Sequence, residues 1–503
     1  MTISRVYKLY AECGEEIVLD KCEKIGNQEV RSRNKVFKAG AGYIIGNYLL
    51  KGITFLSAPI FTRLLTTEEY GDFGAYIAYE SIFYIILGLA LHSSITNAKY
   101  EYKEKFNEYI SSIILLSCIS IGIWLVVANV FFYGYSDKLG LDRTIVNVLV
   151  FHCFGSAMFQ LFNSYVSLSY SVKSYLVLTA VNALSNMGIS IILILTLFRN
   201  NRLTGRILGS ALPVIVIAGY ICSYFFKKGR PRINKQYWKY AMQYSLPIIP
   251  HGISQVILSS FDRIMIKEMV GAAEAGLYSF AGTINSIIVV VSTSLDKVWK
   301  PWFYEKMDVK DYALIRKNAK KYVFGFALFI SMIVMVIPEL IRILGAKEYW
   351  GTTSCVVPVV IGGYFSFIYT IPVYVEYFYK KTKFIALGSM LAAGLNLVLN
   401  YVFIPRYGYI AAAYTTLITY LLYFVFHYLL AKKIHGRSLV SVAVCICSSL
   451  IVCSAGEVAM LLERKVIIRW LIGVGIGVFG LCWAEKNFGL LEILKKKLRR
   501  KVQ

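Results

Sequence analysis

KGITFLSAPIFTRLL, residues 51–65, decides how the chain is read. It lies in an apolar run long enough to cross a bilayer, yet it opens on Lys51 and holds Arg63 near its end. A cation near the middle of a membrane helix costs about 2.5–3.5 kcal/mol on insertion scales, so something must offset it. At an offset of 200 residues the chain reads HGISQVILSSFDRIM, residues 251–265. Gly52, Ile53, Phe61 and Arg63 recur as Gly252, Ile253, Phe261 and Arg263, while Lys51 meets His251 and Thr54 meets Ser254. After a short insertion EYGDF, residues 69–73, faces EAGLY, residues 274–278. A second echo pairs Lys173 and Asn186 with Lys383 and Asn396.

Working outward, the 503 residues are 57% hydrophobic and 15% aromatic, with mean hydropathy +0.58. The expected fold is therefore an all-α polytopic membrane protein. Apolar segments near the length of about 20 residues needed to span number about fourteen. They begin near Ala39, Phe73, Tyr109, Thr144, Ser174 and Ile207, then near Gln243, Ala275, Tyr322, Thr353, Phe384 and Ile410, and last near Leu439 and Val466. Six spans separate the two copies of the repeat, so both copies insert in the same direction, as in parallel-repeat transporters. The expected organisation is an N-terminal extension over 1–35, six-helix lobes over 36–232 and 233–435, helices 13 and 14 over 436–486, and a basic tail over 487–503.

The 54 Lys+Arg against 29 Asp+Glu give a formal charge of +25. The chain has no zinc-finger spacing, aromatic RNA-binding signature or Walker loop, so nucleic acid and ATP are set aside as partners. The basic residues gather in alternate loops, among them KKGRPRINKQYWK from Lys227, KKTK from Lys380 and KKKLRRK from Lys495. That side is cytoplasmic by the positive-inside rule, and an even span count puts both termini there. Most of the ten cysteines lie inside apolar runs and imply no disulfide framework. The first 35 residues lack the apolar core and cleavage site of a signal peptide.

Ionisable groups within spans mark candidate sites. Asn47, Lys51, Thr54 and Ala58 share one face of span one; Glu80, Tyr84, Gly88 and His92 step by four along span two; His251, Gln255, Ser259 and Asp262 line span seven below Arg263. Structural roles compete with these. Lys51 and Glu80 would suit a packing pair, Arg63 and Arg263 would snorkel to headgroups, and His152 and His427 would be ordinary core histidines. Glu376 would face its loop. Pro247, Pro250 and Gly252 interrupt span seven around His251, where a transporter helix bends.

The segments APIFTRLLTTEEYGDFGAY, SLPIIPHGISQVILSSFDRIMI with GAAEAGLYSFA, and LNLVLNYVFIPRYGYIAAAYTTLITY resemble the bacterial polysaccharide-transporter flippases. Their superfamily also holds multidrug extruders and peptidoglycan-precursor flippases. The resemblance covers most of residues 36–435. It implies a multi-pass protein of the bacterial inner membrane that moves undecaprenyl-diphosphate-linked oligosaccharide repeat units outward for O-antigen, capsule or exopolysaccharide. The work is done by alternating access, without enzymatic chemistry or cofactors. It implies a cationic cavity to which Lys51 and Arg263 match first, then His251, His92, Lys300 and Arg63. Glu80 and Asp262 are the candidates for coupling to H+ or Na+, and no metal centre is expected. Membrane lipids, and the polysaccharide polymerase with its chain-length machinery, are the implied partners. The alternative is a cation-coupled multidrug or metabolite exporter of the same superfamily.

Overall fold

The computed structural model describes residues 52, 55–134, 140–168 and 172–489. Lys51, Asn47, the extension over 1–35 and the end of the basic tail lie outside the described residues. Within them the chain is helical throughout. A first helix, α1, covers 55–64. It is followed by α2 (Thr67–Leu87), a 3-10 turn (Leu91–Ser94), α3 (Ile95–Tyr102), α4 (Phe106–Val130), α5 (Arg143–Leu168), α6 (Val172–Leu195) and α7 (Arg202–Gly229). An amphipathic helix, α8 (Lys235–Ser245), leads into α9 (Ile248–Val256), a π-turn (Ile257–Phe261) and α10 (Asp262–Met269). The rest is α11 (Ala272–Asp308), α12 (Tyr312–Leu344), α13 (Thr353–Ile368), α14 (Thr370–Phe378), α15 (Thr382–Tyr407), α16 (Tyr409–His435), α17 (Val442–Leu461) and α18 (Val466–Phe488).

Among the described residues 11 helices are long and apolar enough to cross a membrane. Three expected spans fall outside that set, each for a visible reason. Only the later part of span one is described; α2 carries Glu68, Glu69, Asp72 and Glu80; and span seven is divided by the π-turn before Asp262. Span two also starts six residues earlier than hydropathy placed it. Thr66 caps it, accepting from the Glu69 N–H, while the Glu69 side chain returns to the Thr66 N–H at 2.9 Å. The acidic first turn is stabilised by the helix dipole, which hydropathy does not register. The irregularity in span seven is likewise about two turns beyond the prolines: Pro250 sits in the first turn of α9, where it is tolerated, and the helix widens at Ile257–Phe261 instead.

Two packing groups result. Buried apolar residues of α2, α4, α5 and α7 form cores in the first half, and one large core joins α11 through α17 in the second. The halves meet where α2 crosses α11, and this crossing is built from the repeat itself. A Cβ on Gly71 would lie 1.8 Å from the Ala272 carbonyl oxygen, and one on Gly276 would lie 2.0 Å from that of Thr67. One turn on, a Cβ on Gly74 would lie 2.2 Å from Ser279 Oγ. Gly71 and Gly276 are the matched glycines of EYGDF and EAGLY, and Gly74 and Ser279 follow at the same offset. Each copy therefore packs on its own counterpart, the self-complementary contact of a two-fold interface, closed by small residues as membrane helices require. Lys267 of α10 and Asp72 of α2 pair beside it at 2.9 Å.

The last helix is fastened separately. Arg469 of α18, with 0% exposure, is bidentate on Glu339 of α12 at 2.7 and 2.5 Å and also donates to the Met335 carbonyl. Glu339→Met would strand a buried guanidinium and is expected to destabilise the protein by about 3–5 kcal/mol. Adding Arg469→Leu is expected to restore most of that loss, and thermal unfolding of the purified variants in detergent checks both.

Candidate functional site

Asp262 and Arg263 follow directly on the π-turn, and they engage different partners. Asp262, 2% exposed, accepts from Tyr278 Oη at 2.5 Å, Asn400 Nδ2 at 2.6 Å and Thr416 Oγ1 at 2.8 Å. Asn396 of α15 extends this cluster through Thr416 and Asn400, each at 3.2 Å. Three neutral donors satisfy the carboxylate without an ion pair. Arg263 runs instead through the α2–α11 crossing. A Cβ on Gly74 would lie 3.6 Å from its Cδ and one on Gly282 2.9 Å from its Nη2, so glycines on both helices make room for it.

Arg263 lines a cavity of about 230 Å³ together with Ser259, Asn285, Ser286, Ser292 and Tyr420, and with Asp262 and its partners Tyr278 and Thr416 on another wall. Among the described residues the buried Nε has no hydrogen-bond partner, and no carboxylate forms a salt bridge with Arg263. A guanidinium presents donors in a rigid fork that matches phosphate oxygens. At the meeting of the two halves this fork is left with open donors.

The first half repeats the cluster with the charge reversed. Asn186 and Ser190 of α6, which correspond to Asn396 and Asn400, receive the Arg206 guanidinium at 2.9 and 2.7 Å. That guanidinium also lies 3.9 Å from the Phe61 ring centroid and 4.2 Å from that of Phe73. Phe61 matches Phe261, and Phe73 matches Tyr278, the residue that donates to Asp262. One half thus holds an anion with two hydroxyl donors and one amide donor, and the other a cation between π faces. Arg206 escaped the sequence reading because it stands one turn inside α7, where an arginine looks like an interfacial anchor.

The remaining expected residues are spread along the helices. Arg63 lies at the same end as the glycine crossing, exposed, where it donates to the Pro59 carbonyl at 2.8 Å and to Ile343 at 3.3 Å. With Thr62, which donates to the Leu344 carbonyl at 2.9 Å, it caps the end of α12. His251 is half-buried with Nδ1 2.9 Å from Ser389 Oγ; since that hydroxyl also donates to the Ala386 carbonyl at 2.8 Å, Nδ1 is the donor. His92 lies in the turn after α2, at the opposite end of that helix from Gly71. Lys300 is exposed, with Nζ 5.5 and 5.7 Å from the ring centroids of Tyr377 and Tyr374. It stands eighteen residues along α11 from Gly282, about 27 Å at the helical rise. The expected basic residues therefore occupy two levels, Arg263 and Arg63 near the crossing and Lys300, His92 and His251 toward the other end, rather than one cluster.

Two acids belong to interior sites. Glu80 faces a polar cavity in the first half. Glu376 does not face its loop: it is 0% exposed and contacts His427 Nδ1 at 2.6 Å, joining α14 to α16. The sequence offered only that both lie within apolar runs, fifty-one residues apart.

Residues 37–307 match the family model described as polysaccharide biosynthesis protein. The chain belongs to that family. A protein of the Lsg locus of Haemophilus influenzae is 27% identical over 375 residues, covering 71% of this chain and 88% of that protein. The capsular polysaccharide biosynthesis protein CapF of Staphylococcus aureus is 22% identical over 414 residues, covering 78% and 98%. Among solved structures, the lipid II flippase MurJ in an inward closed conformation superposes with TM-score 0.69 at 14% identity, over 89% of this chain and 99% of that one. An inward-facing multidrug resistance MATE transporter of the MOP superfamily follows with TM-score 0.62 at 11% identity, over 77% and 95%. At such identities the likeness is one of fold, and it places this family member on the architecture that those transporters share.

Proposed function

We propose that the chain flips undecaprenyl-diphosphate-linked oligosaccharide repeat units across the cytoplasmic membrane for surface polysaccharide assembly. The observation that carries this reading is the unpaired Arg263 guanidinium, reaching through the glycine crossing into a cavity. A diphosphate matches it in charge and geometry, and family membership supplies the polysaccharide context. Lys51, at the position equivalent to His251, adds a second cation in this reading. The prenyl tail stays in lipid, and no bond is made or broken.

With both termini in the cytoplasm, the α2–α11 crossing lies at the periplasmic end, so the halves are closed there. Lys300, His92 and His251 then stand on the cytoplasmic side, where an anionic headgroup is loaded before it reaches Arg263. Rocking about the crossing exchanges access, and a cation gradient drives the cycle through Glu80 or Asp262. The polymerase and chain-length machinery receive the product.

A drug or metabolite exporter of the same fold is the competing function. Cells lacking the chain are expected to lose surface polysaccharide and accumulate lipid-linked repeat units, with drug susceptibility unchanged. Normal polysaccharide together with raised drug sensitivity would overturn the flippase in favour of the exporter.

A further inference from the structure

The face of α11 that lines the Arg263 cavity does not end with it. Gly282, Asn285, Ser286, Val289 and Ser292 border the cavity, and at helical spacing the same face continues through Thr293 and Asp296 to Lys300. A nearly unbroken polar stripe thus joins the two levels of basic residues. Asp296 is the only acid within residues 282–300.

That acid is half-buried and loosely held. Its Oδ1 lies 3.4 Å from Thr370 Oγ1 and 3.5 Å from Tyr322 Oη, at the outer limit of hydrogen bonding. The Thr370 hydroxyl has one proton, and it also meets the Phe367 carbonyl at 2.7 Å, much the better bond. Tyr374 stands beside the carboxylate as well. Asp262 makes the contrast, with three donors at 2.5, 2.6 and 2.8 Å. A carboxylate has about four acceptor positions. The protein fills most of them at Asp262 and leaves them open to an outside donor at Asp296.

The surroundings add a cation and aromatic faces. Lys300, one turn further along, is exposed and forms no salt bridge among the described residues. Its Nζ rests over the rings of Tyr374 and Tyr377, and Tyr377 is 40% exposed. Tyr304 meets Tyr374 edge to face at 6.2 Å, and Trp299 stacks on Tyr322 at 4.3 Å, so the rings are held in place.

A phosphate suits Lys300, and a pyranose suits what lies beside it. Sugar hydroxyl and amide groups donate to a carboxylate, and the weakly positive C–H face of the ring lies on the negative face of an aromatic side chain. Asp296 and Lys300 are separated by about 6 Å along the helix, roughly the length of one sugar ring. A sugar bearing its own carboxylate brings a like charge to Asp296.

We infer that Asp296 and Tyr377 form the subsite for the sugar attached directly to the diphosphate, and that Asp296 selects a sugar with hydroxyl or amide donors over an acidic one. Lys300 holds the diphosphate while that sugar is read. The inference rests on the flippase reading and adds to it a basis for sugar choice at the loading end.

The test uses the purified full chain in detergent and three probes: a prenyl diphosphate, the same lipid carrying one N-acetylhexosamine, and the same lipid carrying one hexuronic acid. Titration followed by tryptophan fluorescence gives the affinities. The unaltered chain is expected to bind the N-acetylhexosamine probe about tenfold more tightly than either of the others, a gain of the size that one or two hydrogen bonds supply. Asp296→Asn brings the two sugar probes to nearly equal affinity. Tyr377→Ala removes most of the gain over the bare diphosphate, and Tyr377→Phe, which keeps the ring face, retains it. If Asp296→Asn does not fold, Tyr377→Ala decides by the same ratio. A shift of all three probes by one common factor in Asp296→Asn would mean that the acid acts only as a distant charge, and would overturn the inference. Binding of the bare diphosphate with no gain from the sugar would overturn the subsite alone, whereas no binding of any probe would overturn the flippase reading and the subsite with it.

Discussion

Arg263→Ala is expected to weaken binding of a prenyl diphosphate to the purified protein about thirtyfold or more, the loss that follows when one partner of a desolvated charge pair is truncated. On the flippase reading, the arrangement around this arginine is what a diphosphate would require. Gly74 and Gly282 leave room for the arginine, and its Nε is left without a partner among the described residues. Arg263→Lys is expected to recover only part of the affinity, because a point charge lacks the planar fork that engages two phosphate oxygens. Titration followed by intrinsic tryptophan fluorescence measures all three proteins. Equal affinities would mean that Arg263 serves the crossing and not the ligand. Arg63→Ala, by contrast, removes carbonyl contacts at the end of α12 and is expected to leave diphosphate affinity unchanged.

Gly71→Val is expected to be the most damaging substitution at the interface, and Gly276→Val its equal. Even the first carbon of a side chain at these positions would lie 1.8 and 2.0 Å from a carbonyl oxygen of the opposing helix. The obstruction is backbone, which cannot turn aside, so the helices must separate. Overpacking of this kind costs about 1–3 kcal/mol and occasionally more; here the expected loss is at the upper end. Because the crossing also sets how the halves approach, flipping is expected to fall at least tenfold even in the fraction that folds. Thermal unfolding and transport measured on the same preparation separate the two effects. Gly252→Ala makes a useful comparison: its Cβ would meet only the Ile85 side chain at 3.4 Å, an ordinary contact, and both quantities should be nearly unchanged.

The repeat was the most informative feature of the sequence, and it was informative because symmetry leaves matched residues facing each other. EYGDF and EAGLY were recognisable as counterparts from their letters, and they pack together at the α2–α11 crossing. The Asn186 and Asn396 echo likewise marked two polar clusters, although not that one would hold Arg206 and the other Asp262. Hydropathy located the long apolar helices but misjudged α2, whose acidic first turn is held by a cap, and could not find the π-turn, which depends on how α9 and α10 fit against their neighbours. Pairing across distant helices was least legible. Glu376 with His427 and Glu339 with Arg469 each join spans that chain order does not bring together, and a buried charge in a sequence does not disclose its partner. The opening lysine lies outside the described residues, so the residue that first called for an anionic ligand gives way to Arg263 as the geometric basis of the proposal.

The central claim is that an anionic lipid-linked sugar crosses the membrane by way of Arg263. The most direct measurement places the purified chain in liposomes with a fluorescent undecaprenyl-diphosphate oligosaccharide in the inner leaflet and follows its appearance in the outer leaflet by a membrane-impermeant quencher. Transfer is expected to depend on the protein, to fall at least tenfold in Arg263→Ala and to be competed by a prenyl diphosphate without sugar. Full transfer by a folded Arg263→Ala protein, or no transfer by the unaltered chain under an imposed proton or sodium gradient, would contradict it.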